Sequence, residues 1–154
     1  MTATDLLLRP ATVDDGPAVA AVHLRARAAS PMPPAVRPDA EVASWVASRI
    51  GGPDGDEVWV AQTDGGVVVG YARFTRTWLD DLYVDPDHAG RGIGTALLDL
   101  VKARHPQGFG LWVFVANEPA RDFYAARGLV ERERTDGSAN EERAPDIRME
   151  WVGD

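Results

Sequence analysis

The sequence predicts a single mixed α/β domain over residues 1–154. Its expected core is one central, mixed but mostly antiparallel sheet of six to seven strands, with helices on both faces. Three observations predict it. The apolar period alternates between strand and helix in the order strand, two helices, three strands, helix, strand, helix, two strands. The length suits one core and is short for two. The composition, 45% apolar and 26% charged, is globular, and no internal repeat or linker interrupts it.

Asp5 to Arg9 reads as a short first strand stopped by Pro10, which lacks a ladder donor. Thr12, Asp14 and Asp15 supply N-cap chemistry for a helix with Val19, Val22 and Ala26 on its apolar side. The four prolines of SPMPPAVRP, Ser30 to Pro38, make a stiff loop. Asp39 is placed to cap a second helix through Val42, Trp45, Val46 and Ile50, ended by Gly51, Gly52 and Pro53. Glu57 to Thr63, the turn Asp64-Gly65-Gly66 and Val67 to Thr77 form a hairpin, followed by a strand from Trp78 to Val84. Helical spacing returns at Ile93, Ala96, Leu97, Leu100 and Val101, before a buried strand from Phe109 to Val115. A short helix around Pro119 carries Phe123 and Tyr124 and ends at Gly128. Leu129 to Arg134 and Ile147 to Val152 pair last, across the polar loop Thr135 to Asp146.

Composition narrows the chemistry. Without cysteine there is no disulfide, no thiolate metal site and no acyl relay on an enzyme thiol. A net charge of −8 disfavours nucleic acid as partner and favours cationic small molecules. No apolar run approaches the ~20 residues of a membrane span, and MTATDLLLRP does not read as a secretory signal, so a cytoplasmic protein away from the membrane is expected. Lys102 is the only lysine; every other basic side chain of the Lys and Arg class is arginine.

In DHAGRGIGTALL, Gly90, Gly92 and Gly94 stand at every second position directly before helical spacing. Such a ladder leaves backbone N–H groups unobstructed at a helix start, the natural site of a phosphate. A nucleoside-triphosphate loop would need Gly-Lys-Ser or Gly-Lys-Thr, and a dinucleotide fingerprint would need glycine where Thr95 or Leu97 stands. LYVDPDHAGRGIGTALL from Leu82, with NEPARDFYAARG from Asn117, resembles the Gcn5-related N-acetyltransferases (GNAT) over nearly the whole chain. The resemblance implies a GNAT-like fold and acetyl-coenzyme A as acyl donor. It implies that Gly90, Arg91, Gly92, Ile93, Gly94 and Thr95 cradle the pyrophosphate and that Leu82, Tyr83 and Val84 line the pantetheine arm. It further implies that Asn117 meets the coenzyme and that Tyr124 lies near the thioester sulfur. Two positions depart from the family pattern: Ala89 replaces a usual glutamine or arginine, a charge that Arg91 can supply, and Trp78 replaces the usual carboxylate.

Acetylating an amine of pKa ~10.4 near neutral pH requires a proton acceptor, since presenting the neutral amine costs about 4–5 kcal/mol. Strand alternation puts Asp80 on one face with Trp78, Leu82 and Val84, and Asp81 on the other with Tyr83. Asp80 is therefore the first candidate base, ahead of Asp81, Glu118 and water. Tyr124 is the candidate to stabilise the leaving thiolate. His23 reads as packing or as the lip of a substrate pocket; His88 and His105 are too scattered to join it in a metal site. Trp45, Trp59, Trp112 and Trp151 read as core, and Trp78 as a shaper of the acceptor pocket. The reading is an N-acetyltransferase working by direct attack in a ternary complex, on a small-molecule amine or an exposed amino group of a peptide. The alternative is a non-catalytic acyl-coenzyme A binding or sensing domain. A homodimer is left open beside a monomer.

Overall fold

The computed structural model describes residues 6–52 and 55–153. Its elements are β1 (Leu7–Pro10), α1 (Gly16–Ala29), α2 (Asp39–Ser48), β2 (Glu57–Gln62), β3 (Val68–Phe74), β4 (Leu79–Val84), α3 (Ile93–Arg104), β5 (Phe109–Phe114), α4 (Glu118–Ala126), β6 (Val130–Thr135) and β7 (Asp146–Trp151). The seven strands form two antiparallel sheets, β1-β2-β3-β4 and β5-β7-β6, rather than one continuous ladder.

The only link between the sheets among the described residues is a single parallel bridge, Trp78 to Gly110, with the Gly110 N–H donating to Thr77 O at 3.0 Å. Beyond that point β5 pairs only with β7, so β4 and β5 part and leave a gap between their backbones. A Cβ on Gly110 would lie 2.5 Å from the Trp78 ring, so glycine is what allows the two strands to meet there.

Each face of the first sheet is covered. On one side α3 buries Ile93, Leu97, Leu98 and Val101 against Ala72, Phe74 and Leu79, and this core continues into the second sheet through Leu111, Ile147 and Met149. On the other, α1 and α2 pack Val19, Val22 and Val46 against Val60 and Tyr71. Two contacts lock the layers. Arg9 forks onto Asp15 at 2.8 and 2.9 Å, fastening β1 to the start of α1, and Lys102 of α3 donates to the Arg127 carbonyl at 2.7 Å while lying 5.1 Å from the Trp151 ring centre.

Several local expectations shift. Asp5 lies outside the described residues, and Pro10 does not stop the first strand: it sits opposite Trp59 as the strand's last residue, which an edge position tolerates. The Thr12 N–H donates to Asp15 at 2.7 Å, capping a 3-10 turn over Val13–Asp15, so α1 itself begins at Gly16. Asp39 is the first helical residue of α2 and Pro38 holds the cap position. Trp45 and Trp112, expected in the core, are 48% and 45% exposed.

Replacing Gly110 with alanine drives a methyl into the Trp78 ring and is expected to cost about 1–3 kcal/mol, read as a lower urea midpoint at unchanged slope.

Candidate active site

The gap between β4 and β5 is the floor of a cleft of about 250 Å³. One wall is Leu79 to Tyr83, the other Leu111 to Phe114, and α4 closes the end with Asn117 and Tyr124. Splayed strands leave N–H and C=O groups without ladder partners, a surface that an extended amide-bearing chain can pair with. Leu82 and Tyr83, expected along the pantetheine arm, line the β4 side of this opening, while Val84, expected with them, ends β4 beside Gly94.

The glycine ladder follows directly. Gly90 and Gly92 take left-handed φ values of 77° and 80°, and Gly92 is the N-cap of α3. The first intrahelical bond runs from Ala96 N–H to Gly92 O, leaving the N–H groups of Ile93, Gly94 and Thr95 ahead of it, at the positive end of the helix dipole. Gly94 lies under the Phe123 ring, where a Cβ would approach to 3.3 Å. Arg91 is exposed at the same turn. These residues fit an anion bound through backbone donors. The loop is pinned from behind: Arg25 of α1 pairs with Asp85 and Asp87 at 3.2 and 2.7 Å.

In the wall that α4 contributes to the cleft, Tyr124 is nearly buried, and burial, with Tyr83 and Asp81 near it, pushes its hydroxyl above the ordinary tyrosine value. That hydroxyl donates to no described residue. Asn117 caps α4 by accepting from the Ala120 N–H at 3.4 Å.

The carboxylates do not follow simple alternation. Arg73 pairs with Asp81, but Phe74 pairs with Leu79, so Asp80 is an extra residue, a β-bulge. Leu79 faces the core beside Phe74, and Asp81 joins Tyr83 on the face of Tyr71 and Arg73. The expectation that Asp80 shares a face with Trp78 and Leu82 by parity is corrected: the bulge aims Asp80 into the cleft alongside Asp81. Asp81 is 8% exposed and receives a 2.9 Å bond from Arg73 Nε. Asp80 is pushed up to about 6 by burial, with Arg73 opposing and Asp81 and Asp56 adding to the rise. Glu118 lies in the first turn of α4, where the helix dipole accounts for it.

A larger cavity, about 830 Å³, opens beside the cleft and shares His23 and Arg27 with it. Arg37 of the Pro-rich loop ties its rim together, pairing with Glu41 of α2 and with Glu141, both at 2.7 Å. His23 is 8% exposed and bonds Tyr71 Oη at 2.7 Å; burial lowers its pKa, so it sits there as a neutral ring. Sequence reasoning missed Arg73, Asp56 and Arg127. The signal for Arg73 was a charged residue inside the apolar run VVVGYARF, which must be paired if buried. Arg127 stacks on Phe123 at 3.8 Å and forks onto Thr95 Oγ1 at 3.1 and 2.9 Å, joining α4 to the start of α3. No group of three His, Asp or Glu among the described residues is placed to hold a metal ion, and no described helix is long and apolar enough to cross a membrane.

Residues 54–131, from the approach to β2 into the start of β6, match the sequence pattern of the acetyltransferase (GNAT) domain. The chain belongs to the GNAT acetyltransferase family. Among relatives of this GNAT domain, the peptidyl-lysine N-acetyltransferase YiaC of Escherichia coli is 37% identical over 71 residues, 46% of this chain and 48% of that protein. The chain spans about half the length of the curated relatives it matches. A GCN5-related N-acetyltransferase from Rhodopseudomonas palustris superposes with a TM-score of 0.78 at 26% identity, covering 99% of this chain and 98% of that one. The PaiA N-acetyltransferase of Thermoplasma acidophilum, solved in complex with coenzyme A, shares the GNAT fold with a TM-score of 0.72 at 18% identity, covering 96% and 98%.

The raised Asp80 carboxyl carries a stability cost whose sign is fixed. Its folded pKa lies above the unfolded value of ~3.9, so stability falls as pH rises from about 4 through about 6. Asp80→Asn is therefore expected to be more stable than the native chain at pH 7, by on the order of 1 kcal/mol once solvent access is allowed for. The difference closes below about pH 4 in urea denaturation.

Proposed function

We propose that this GNAT domain transfers the acetyl group of acetyl-coenzyme A to a primary amine, by direct attack with donor and acceptor bound together. The observation that carries the reading is a cleft that brings a carboxylate and a tyrosine hydroxyl together between two parted strands. Asp80 and Tyr124 line the same cleft between the parted strands β4 and β5, and β4 leads from it to the N–H groups of Ile93 to Thr95 that stand ahead of the first intrahelical bond of α3. An extended thioester donor fits that path, with its pyrophosphate at the helix start and its acyl end between the two side chains.

The chain's residues divide the proton work. Asp80 takes the ammonium proton; the amine nitrogen then bonds to the acyl carbon as the carbon–sulfur bond breaks, and the excess proton of the new amide leaves to water. Tyr124 donates a hydrogen bond to the departing sulfur, whose pKa of about 8.5 as a thiol lies below that of tyrosine, so the thiolate needs stabilisation more than a full proton. With no cysteine in the chain, an acyl-enzyme thioester is not available as a detour. The larger cavity between α1, α2 and the loops is the acceptor's entrance; Glu41, Glu141 and Glu142 line it, and Asp80 and Asp81 line the adjoining cleft, an acidic path that favours a cation. The peptidyl-lysine names of YiaC and of Salmonella typhimurium YjaB support a lysine side chain on a peptide as the acceptor.

The test is release of free coenzyme A thiol on adding lysine-containing peptides or small amines. Release only with amine present supports transfer; tight coenzyme binding without release supports a sensing domain. Tyr124→Phe is expected to lower kcat about 10–100-fold with little change in the KM for acetyl-coenzyme A, because only the hydroxyl at the sulfur is lost.

A further inference from the structure

Arg73 is a nearly buried guanidinium, 11% exposed, standing among three carboxylates and over one aromatic ring. Its Nε donates to Asp81 at 2.9 Å and its Nη1 donates to Asp56 at 2.8 Å. The same Nη1 is 3.9 Å from Asp80, an ion-pair distance without a hydrogen bond. The Trp45 ring, 4.8 Å from the guanidinium carbon, fixes the plane of the group, which accounts for a tryptophan left half-exposed on α2. One nitrogen therefore stands between two competing acceptors, and Asp56 holds it.

We propose that Asp56 is a positioning residue for the transfer step: by claiming Arg73 Nη1, it denies Asp80 a direct ion pair and leaves that carboxylate free to accept the proton of the incoming amine. The inference rests on the reading of Asp80 as the proton acceptor. A carboxylate in close ion pair with arginine is a poor base, since the pair favours its charged form. Held at 3.9 Å, Asp80 keeps only part of that effect, and burial dominates. The charged and titratable groups facing Asp80 are Arg73 from β3, Asp81 from its own strand and Asp56 ahead of β2. Across the cleft stand His23 and Arg27 of α1, the latter paired with Glu142 at 3.0 Å. The facing stretches of β5 and α4 add Tyr124 and no charge.

Two substitutions grade the effect. Asp56→Asn removes a neighbouring negative charge while keeping an acceptor for Arg73; Asp56→Ala also frees Nη1 to close on Asp80. Both are expected to move the acidic limb of kcat/KM to lower pH, by about 0.5 of a pH unit for the asparagine and about 1 or more for the alanine, with Asp56→Glu restoring the limb. The titration of the Asp80 carboxyl carbon, followed by NMR in the free folded protein, is expected to shift in the same order and needs no acceptor. A limb and a carboxyl titration unmoved or raised in Asp56→Ala, with Asp80→Asn abolishing the limb, would overturn the role of Asp56 and leave Asp80 as the base. A limb that persists unchanged in Asp80→Asn would overturn the reading of Asp80 and this inference with it.

Discussion

One contact fixes where the two halves of the sheet touch: the backbone of Gly110 lying on the ring of Trp78. Because it is the single bridge among the described residues, the strands are joined at one end of the cleft and are free to part toward the other. The gap, the end wall supplied by α4 and the approach to α3 are all set by that hinge point. The family's usual carboxylate position is filled here by an indole whose size is taken up by the missing side chain on β5. On the proposed reading the acidic function falls to a neighbour two residues on, Asp80, which the bulge turns toward the opening. Losing one carboxylate and bulging another into place are geometrically consistent on the same strand.

Electrostatics in the cleft are organised by unequal sharing. Three aspartates surround one arginine, so the buried cluster carries more carboxylate than its counter-charge can satisfy. Two are satisfied at hydrogen-bond distance and the third is left over. A protein selected for stability alone would not keep the third, since an incompletely paired carboxylate at reduced solvent access is costly. On the proposed function the surplus serves a site that receives a cation and takes a proton from it.

Much of this was legible in the sequence, and what was not has a physical cause. The glycine ladder, the α3 stripe, the hairpin across Asp64 to Gly66 and the final strand pair follow local rules, and the structure places them within a residue or two of the expected positions, except that β3 stops at Phe74, three residues before the expected Thr77. The bulge at Asp80 was invisible because alternation assumes period two, and nothing in LDDLYV marks an inserted residue. The division into two sheets depends on a contact between residues far apart in the chain, which no window detects. Trp45 sat on the apolar side of its helix in the sequence, yet the guanidinium groups of Arg49 and Arg73 cover its ring instead of core atoms. Asp56 follows a glycine-rich stretch, and nothing in the sequence sets it apart from ordinary loop polarity, because its partner Arg73 lies on another strand.

The lone lysine has a meaning in this setting. Lys102 is committed to the Arg127 carbonyl and lies over the Trp151 ring, while the remaining surface cations are guanidiniums, which do not accept an acetyl group under the conditions that acylate an amine. On the proposed function, a catalyst of lysine acylation built this way offers almost no lysine side chain to its own reaction or to chemical acylation by its donor.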